Sequence, residues 1–147
     1  MRDEAVLLEI DDHIGLITLN RPENRNSMTT GLMTAFHETV LRVQRERGLR
    51  CVIITGSGPN FCAGADFKSA LGQGDRLPHE NFMALYKPFL AVADIDIPVI
   101  AALNGHAIGG GFGLALICDL RVANMQAKYG ANFVRLGFHS GMAVTHM

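Results

Sequence analysis

Cys51-Val52-Ile53-Ile54 and Pro98-Val99-Ile100-Ala101-Ala102-Leu103 are apolar runs too short to be helices, and each stops at a glycine-bearing loop. That combination reads as a buried strand feeding a turn. It constrains the fold, because a buried strand needs other layers to cover it. Helical spacing fills the intervals. Leu32, Met33, Phe36, Val40 and Val43 form one stripe of residues 28–47, with Glu38, Arg42 and Glu46 four apart on the wet side and Gly48 placed as a C-cap. Phe82, Leu85, Tyr86, Phe89 and Leu90 repeat the spacing after a flexible connection at Gly72-Gln73-Gly74-Asp75. Pro88 is expected to kink or shorten that helix, because it deletes one backbone hydrogen bond. A third helical segment follows Gly109-Gly110-Gly111 and runs through Cys118. Ahead of these, residues 5–10 and 14–20, separated by Asp11-Asp12-His13, read as a hairpin, which Pro22 and its Asn neighbours end. The order of strands and helices predicts an α/β layered fold.

Composition acts mainly by elimination. At 147 residues with 48% hydrophobic and 18% charged content, the chain can bury one core, so a single domain over 1–147 is expected. The formal charge of −1, with Lys and Arg scattered, offers no electrostatic footprint for nucleic acid or an anionic membrane. The longest apolar stretch, residues 98–103, is far short of the roughly 20 residues that a bilayer span needs. Met1-Arg2-Asp3-Glu4 leads straight into a strand-like run with no export cleavage site, so a cytoplasmic location is expected. Cys51, Cys62 and Cys118 lack CxxC spacing and read as reduced core thiols, and the histidines do not fall at zinc-ligand spacing. Val144-Thr145-His146-Met147 stops without a cap or polar tail, as a polypeptide cut from something longer would.

Two glycine-bearing strand-to-helix junctions can carry chemistry: Phe61-Cys62-Ala63-Gly64-Ala65-Asp66-Phe67-Lys68 and Gly109-Gly110-Gly111. Backbone N–H groups without intrahelical partners collect at such places, and glycine lets a ligand atom approach the main chain. Two junctions converging on one oxygen would make an oxyanion hole. The same glycines also serve tight turns and close packing, and the residues alone leave both readings open. A dinucleotide cradle is weak, since Gly56-Ser57-Gly58 lacks a third glycine at the right offset and Pro59 intrudes. Nor is there a nucleophile elbow, because Gly137-Phe138-His139-Ser140-Gly141 has its serine one place late.

Asn20-Arg21-Pro22-Glu23, Val52-Ile53-Ile54-Thr55-Gly56, the first junction, Pro98 through Gly105, and Gly109-Gly110-Gly111 with Cys118-Asp119 together resemble the crotonase superfamily (enoyl-CoA hydratase/isomerase family) in order and spacing. The likeness runs over about residues 5–141 and corresponds to the N-terminal portion of such a protein. It implies a spiral of repeated ββα units, truncated after the N-terminal part, with an acyl-CoA thioester lying bent across the site. The thioester oxygen would accept the N–H groups of Ala65 and Gly110, which match a developing enolate better than a ground-state carbonyl. Asn24, Arg25 and Asn26, with Ala63, Asp66 and Lys68, would hold the adenine and phosphate ends of coenzyme A, Arg25 and Lys68 supplying positive charge. Coenzyme A enters as part of the substrate, and no tightly bound cofactor is implied. Members continue into helices that close over the ligand and pack between subunits, so exposed apolar surface and a homo-oligomer, trimer or hexamer, are expected.

The chain also departs from the family pattern. In hydratases of the family one glutamate stands two places after the third glycine and another twenty residues beyond it; here these are Gly113 and Phe133. Other members place an acid where this chain has Gly141, or a histidine at about the level of Tyr86. Adding water to a conjugated thioester needs a base and an acid, contributions of about 10²–10⁴ each. Neither Gly113 nor Phe133 can move a proton. His139 is the leading candidate base, since an unperturbed imidazole titrates near neutrality; a satisfied or solvent-facing histidine is the other reading. Tyr86, His106 and Asp66 are further titratable neighbours, Asp66 also reading as a turn-organising carboxylate. The expected activity is that of an atypical lyase, isomerase or hydrolase of fatty acid metabolism acting through an enolate. The alternative is a catalytically inactive acyl-CoA-binding module or truncated remnant.

Overall fold

The computed structural model describes residues 4–66, 78–142 and 144–146. Lys68, the 72–75 connection and Met147 lie outside the described residues. The N-terminal alternation forms the expected hairpin: β1 (Val6–Asp11) pairs antiparallel with β2 (Ile14–Leu19), Val6 opposite Leu19. Next to β2 lie β3 (Cys51–Gly56), β5 (Val99–Leu103) and β7 (Leu120–Ala123), each parallel to its neighbour, giving a sheet of order β1-β2-β3-β5-β7. A second sheet, entirely parallel, is built from the short strands β4 (Asn60–Cys62), β6 (His106–Ile108) and β8 (Tyr129–Gly130). The chain thus alternates between sheets, β3 then β4, β5 then β6, β7 then β8, with helices following the first two pairs. That is the spiral of ββα units.

Helix α1 (Thr30–Arg45) starts where Thr29 accepts the Leu32 N–H on its hydroxyl at 3.3 Å, satisfying one otherwise orphaned donor. Its stripe of Leu32, Met33, Phe36, Val40 and Val43 is buried as the spacing predicts, each side chain contributing about 1.5–3 kcal/mol. The helix ends at Glu46 in an extended conformation. Gly48 is therefore not the cap; it lies two residues further on and lacks the left-handed φ that a glycine cap would use. Helix α2 (Pro78–Leu90) packs on α1 through Phe36 and Phe89, whose rings meet edge-on at 4.8 Å. Pro88 shortens it as expected: the α-helix stops at Leu90 and tightens into a 3-10 turn, Ala91–Asp94. Helix α3 (Gly110–Ile117) begins inside the glycine triplet, at its second glycine, and ends one residue before Cys118.

At the far edge, β7 is exposed along its whole length, with Leu120 and Val122 58% and 67% exposed. Val134 and Leu136, beyond β8, are exposed as well, which agrees with the expected apolar surface. Among the described residues no helix is long and apolar enough to cross a membrane.

Candidate functional site

The close approach of the two glycine junctions has a steric cause. Gly111 sits where any β-carbon would collide with the Cys62 carbonyl oxygen and lie 2.7 Å from Cys62 Cβ. A β-carbon on Gly110 would strike Met28 Sδ. Without side chains, the first turn of α3 presses directly onto β4 and onto the residue before the α1 cap. Gly109, at φ 55, turns the chain into the helix, and Gly64, at φ 89, turns the other loop past it; both conformations suit glycine and few other residues. A β-carbon on Gly64 would lie 3.5 Å from the Gly110 nitrogen. Covalent geometry therefore holds the Ala65 and Gly110 nitrogens within roughly 7 Å of each other.

The donors are also oriented. Met28 N–H donates to Gly64 O at 2.9 Å in a parallel bridge opposite Ala65, so the Ala65 N–H turns to the other side. Gly110 opens α3, and the first bond into that turn is Gly113 N–H to Gly109 O at 3.0 Å. The Gly110 N–H is thus one of the helix's unpaired donors, at its positive end. Neither amide finds an acceptor among the described residues.

Ala65 and Gly110 both border a cavity of about 550 Å³. Ala63, Gly64 and Gly109 complete that wall; Phe82, Met83, Tyr86 and Leu90 of α2 face it, and Phe133, Phe138, His139, Ser140 and Met142 close the rest. The Tyr86 phenol, buried here, is pushed above its ordinary pKa by desolvation and stays protonated at neutral pH. The Ser140 hydroxyl oxygen is buried and has no partner among the described residues. Just behind the wall, burial pushes the Cys62 thiol up to about 12, against a smaller opposing effect of its bond with the Gly64 backbone, so it remains a neutral packing group.

The structure thus brings together Ala63, Ala65, Gly110 and His139. The imidazole of His139 is exposed at the rim, its Nδ1 2.9 Å from Ser140 O. Asp66 does not line the cavity, and His106 faces elsewhere, its Nδ1 accepting the Lys128 amide at 2.8 Å. Asn24, Arg25 and Asn26 form a turn beside the first junction, tied to it by Ala63 N–H to Arg25 O at 3.1 Å. Arg25 is exposed, but Asn26 is a correction to the expected ligand surface. Its amide is fully buried and engaged by the protein: Oδ1 accepts Arg21 N–H at 2.8 Å, while Nδ2 donates to Ser57 O at 3.0 Å and Asn60 O at 2.9 Å. Asn26 holds the turn and the β3–β4 loop together and offers a ligand nothing. Of the positions where the resemblance expects acids, Phe133 and Gly141 border the cavity. Gly113 lies beneath Met142, whose Cβ occupies the space a side chain there would need.

Phe82, Phe138 and Met142 line the site although no motif or spacing marks them as functional. Phe82 was legible only as part of a helical stripe, and the other two become neighbours of α2 through folding alone.

Among known proteins, the enoyl-CoA hydratase/isomerase family model matches residues 9–147. A probable enoyl-CoA hydratase of Mycobacterium tuberculosis is 41% identical over 98% of this chain and 56% of its own length. An (E)-benzylidenesuccinyl-CoA hydratase of Thauera aromatica is 37% identical over 93% of this chain and 54% of its own length. The crystal structure of an enoyl-CoA hydratase from Bacillus anthracis superposes with a TM-score of 0.87 at 32% identity, over 95% of this chain and 55% of that one. The chain spans about half the length of the relatives it matches. With nearly its whole length matched in sequence and its spiral of ββα units shared with a solved member, the chain belongs to the enoyl-CoA hydratase/isomerase family of the crotonase superfamily.

Proposed function

We propose that the chain carries the thioester site of an acyl-CoA-handling protein, in which the amides of Ala65 and Gly110 hold the thioester oxygen and stabilise its enolate. The observation that supports this best is the pair of main-chain donors, without acceptors among the described residues, on the wall of one apolar cavity. Donors fixed in the backbone need no reorganisation as the oxygen charges, which is the condition for favouring a transition state over a ground state. The acyl group enters the cavity. The coenzyme A end runs over the Asn24–Arg25 turn and the Ala63–Asp66 segment, with Lys68, outside the described residues, as a further candidate contact, and the coenzyme is part of the substrate, not a bound cofactor.

With Gly113 and Phe133 at the hydratase glutamate positions, proton transfer falls to His139, Tyr86 or water, and the reaction is that of an atypical lyase, isomerase or hydrolase in fatty acid metabolism. The second reading is an inactive acyl-CoA-binding module; the lack of a carboxylate among the described residues that line the cavity favours it. Copies associate through exposed apolar surface such as Leu120 and Val122 on β7, as a trimer or hexamer, at a cytoplasmic site of action; a monodisperse monomer by light scattering would contradict that assembly.

The test pairs calorimetry with mass-spectrometric product detection over a panel of acyl-CoA thioesters. Binding is expected, and Ala65→Pro, which deletes one donor, should lower any turnover by about 10²–10³-fold. Binding without product selects the module reading. Absence of binding to every thioester rejects the proposal.

A further inference from the structure

We infer that the acyl group this site accepts ends in an aromatic ring: an arylalkanoyl thioester, in preference to a short straight chain or a carboxylated one. The inference rests on the thioester reading above and concerns the opposite end of the ligand. Its basis is the wall that faces Ala65 and Gly110. Phe82 stacks beside Tyr86 at 6.1 Å between ring centroids with 25° between planes, and meets Phe138 edge-on at 5.4 Å and 63°. Phe133, only 8% exposed, adds a fourth ring to the cavity lining. These rings come from α2 and from the segment after β8, so folding collects them at one place. Aromatic rings attract one another through their quadrupoles in such offset and edge-on arrangements, and a guest ring can extend the set.

Size and charge point the same way. A four-carbon acyl group would fill only a small part of this cleft of about 550 Å³, which is partly open to solvent, and would leave its apolar wall uncovered. Among the described residues no Asp, Glu, Lys or Arg borders the cavity; a carboxylated acyl end would meet only the Asn132, His139 and Ser140 side chains there and no permanently charged group to offset its burial, which is costly. Gly141 keeps the slot open, because a β-carbon there would lie 2.7–2.8 Å from the ring edge and hydroxyl of Tyr86 and push the ring from its place.

Calorimetry on the full chain with saturated thioesters isolates binding from enoyl chemistry. Phenylpropanoyl-CoA, butanoyl-CoA, glutaryl-CoA and free coenzyme A are the probes. The expected result is affinity for phenylpropanoyl-CoA at least about tenfold above both butanoyl-CoA and glutaryl-CoA, narrowing toward parity in Phe82→Ala. A ratio below about tenfold to either competitor overturns the aromatic preference, and does so without touching the thioester reading if all three esters bind more tightly than free coenzyme A. If no ester binds more tightly than free coenzyme A, the thioester reading fails and the preference fails with it. The wild-type ratios decide the matter even if Phe82→Ala does not fold.

Discussion

Replacing Asn26 with alanine asks whether the loop that carries Ala65 is held by the turn ahead of α1. Asn26 is buried, left-handed at φ 53, and bonded to Arg21 N–H, Ser57 O and Asn60 O at 2.8–3.0 Å. In Asn26→Ala the Asn60 carbonyl keeps a second donor, Asn104 Nδ2 at 3.4 Å. The lasting losses are therefore the Arg21 N–H and the Ser57 carbonyl. At about 1–3 kcal/mol for each buried group left unpaired, reduced because both are only partly buried, they cost about 2–4 kcal/mol together. Alanine must also hold a left-handed φ, a further 1–2 kcal/mol or about that. The total of about 3–6 kcal/mol is a large part of the 5–15 kcal/mol, roughly, that keeps a domain folded. Asn26→Gly loses the same bonds without the backbone strain and should be milder by about 1–2 kcal/mol. Urea titration followed by circular dichroism measures both, read at constant m. Thioester affinity should weaken in parallel, since the Asn26 turn hangs the Ala63–Ala65 loop through Ala63 N–H to Arg25 O and Met28 N–H to Gly64 O. If both variants unfold within about 1 kcal/mol of the natural protein, the clasp does not hold the loop and the reasoning is wrong.

Gly113→Ala puts a methyl group against Met142 Cβ and 2.9 Å from its Cγ, so it should destabilise by about 1–3 kcal/mol. Met142→Gly removes the obstructing atom and relieves a left-handed φ of 54, so most of that cost should vanish in the double variant; strict additivity by thermal unfolding would contradict the packing. Cys62 and Cys118, both pushed up to about 12 by burial, should resist iodoacetamide in the native state, with Cys51 modified first and all three only after unfolding, as peptide mass spectrometry can show. The same shifts set an alkaline limit. Below the ordinary thiol value of 9.0 neither state ionises; between there and about 12 the unfolded chain loses protons that the native state keeps, so stability falls as pH rises. The slope is at most about 1.4 kcal/mol per pH unit for each thiol. Cys62→Ala should lessen that slope, and an unchanged slope would count against the burial argument.

The elements that the sequence made legible are those with a period long enough to read. The α1 stripe from Leu32 to Val43 and the β1–β2 alternation carry their partners' geometry in their own spacing. The strands of the second sheet do not. Asn60–Cys62, His106–Ile108 and Tyr129–Gly130 are two or three residues long, and each pairs with a segment far away in the chain. No local pattern can mark them. The same division runs through the site. Ala65 and Gly110 stand in local glycine patterns that marked both junctions, but that these two amides meet was implied by the family resemblance, not by spacing. Asn26 could be read only as a turn residue, because its role lies in bonds to carbonyls 31 and 34 residues onward. The glycine at position 113 announced a missing side chain, but only the fold shows that Met142 occupies the space.

The most direct test follows the amides themselves. Backbone nitrogen–proton correlation spectra of the labelled protein, assigned at Ala65 and Gly110, would be recorded with a saturated acyl-CoA thioester and with the matching thioether, which lacks only the carbonyl oxygen. The expected result is a downfield shift of both amide protons with the thioester and none with the thioether. If the thioester binds and shifts other signals while those of Ala65 and Gly110 stay where they were, the two amides do not hold its oxygen.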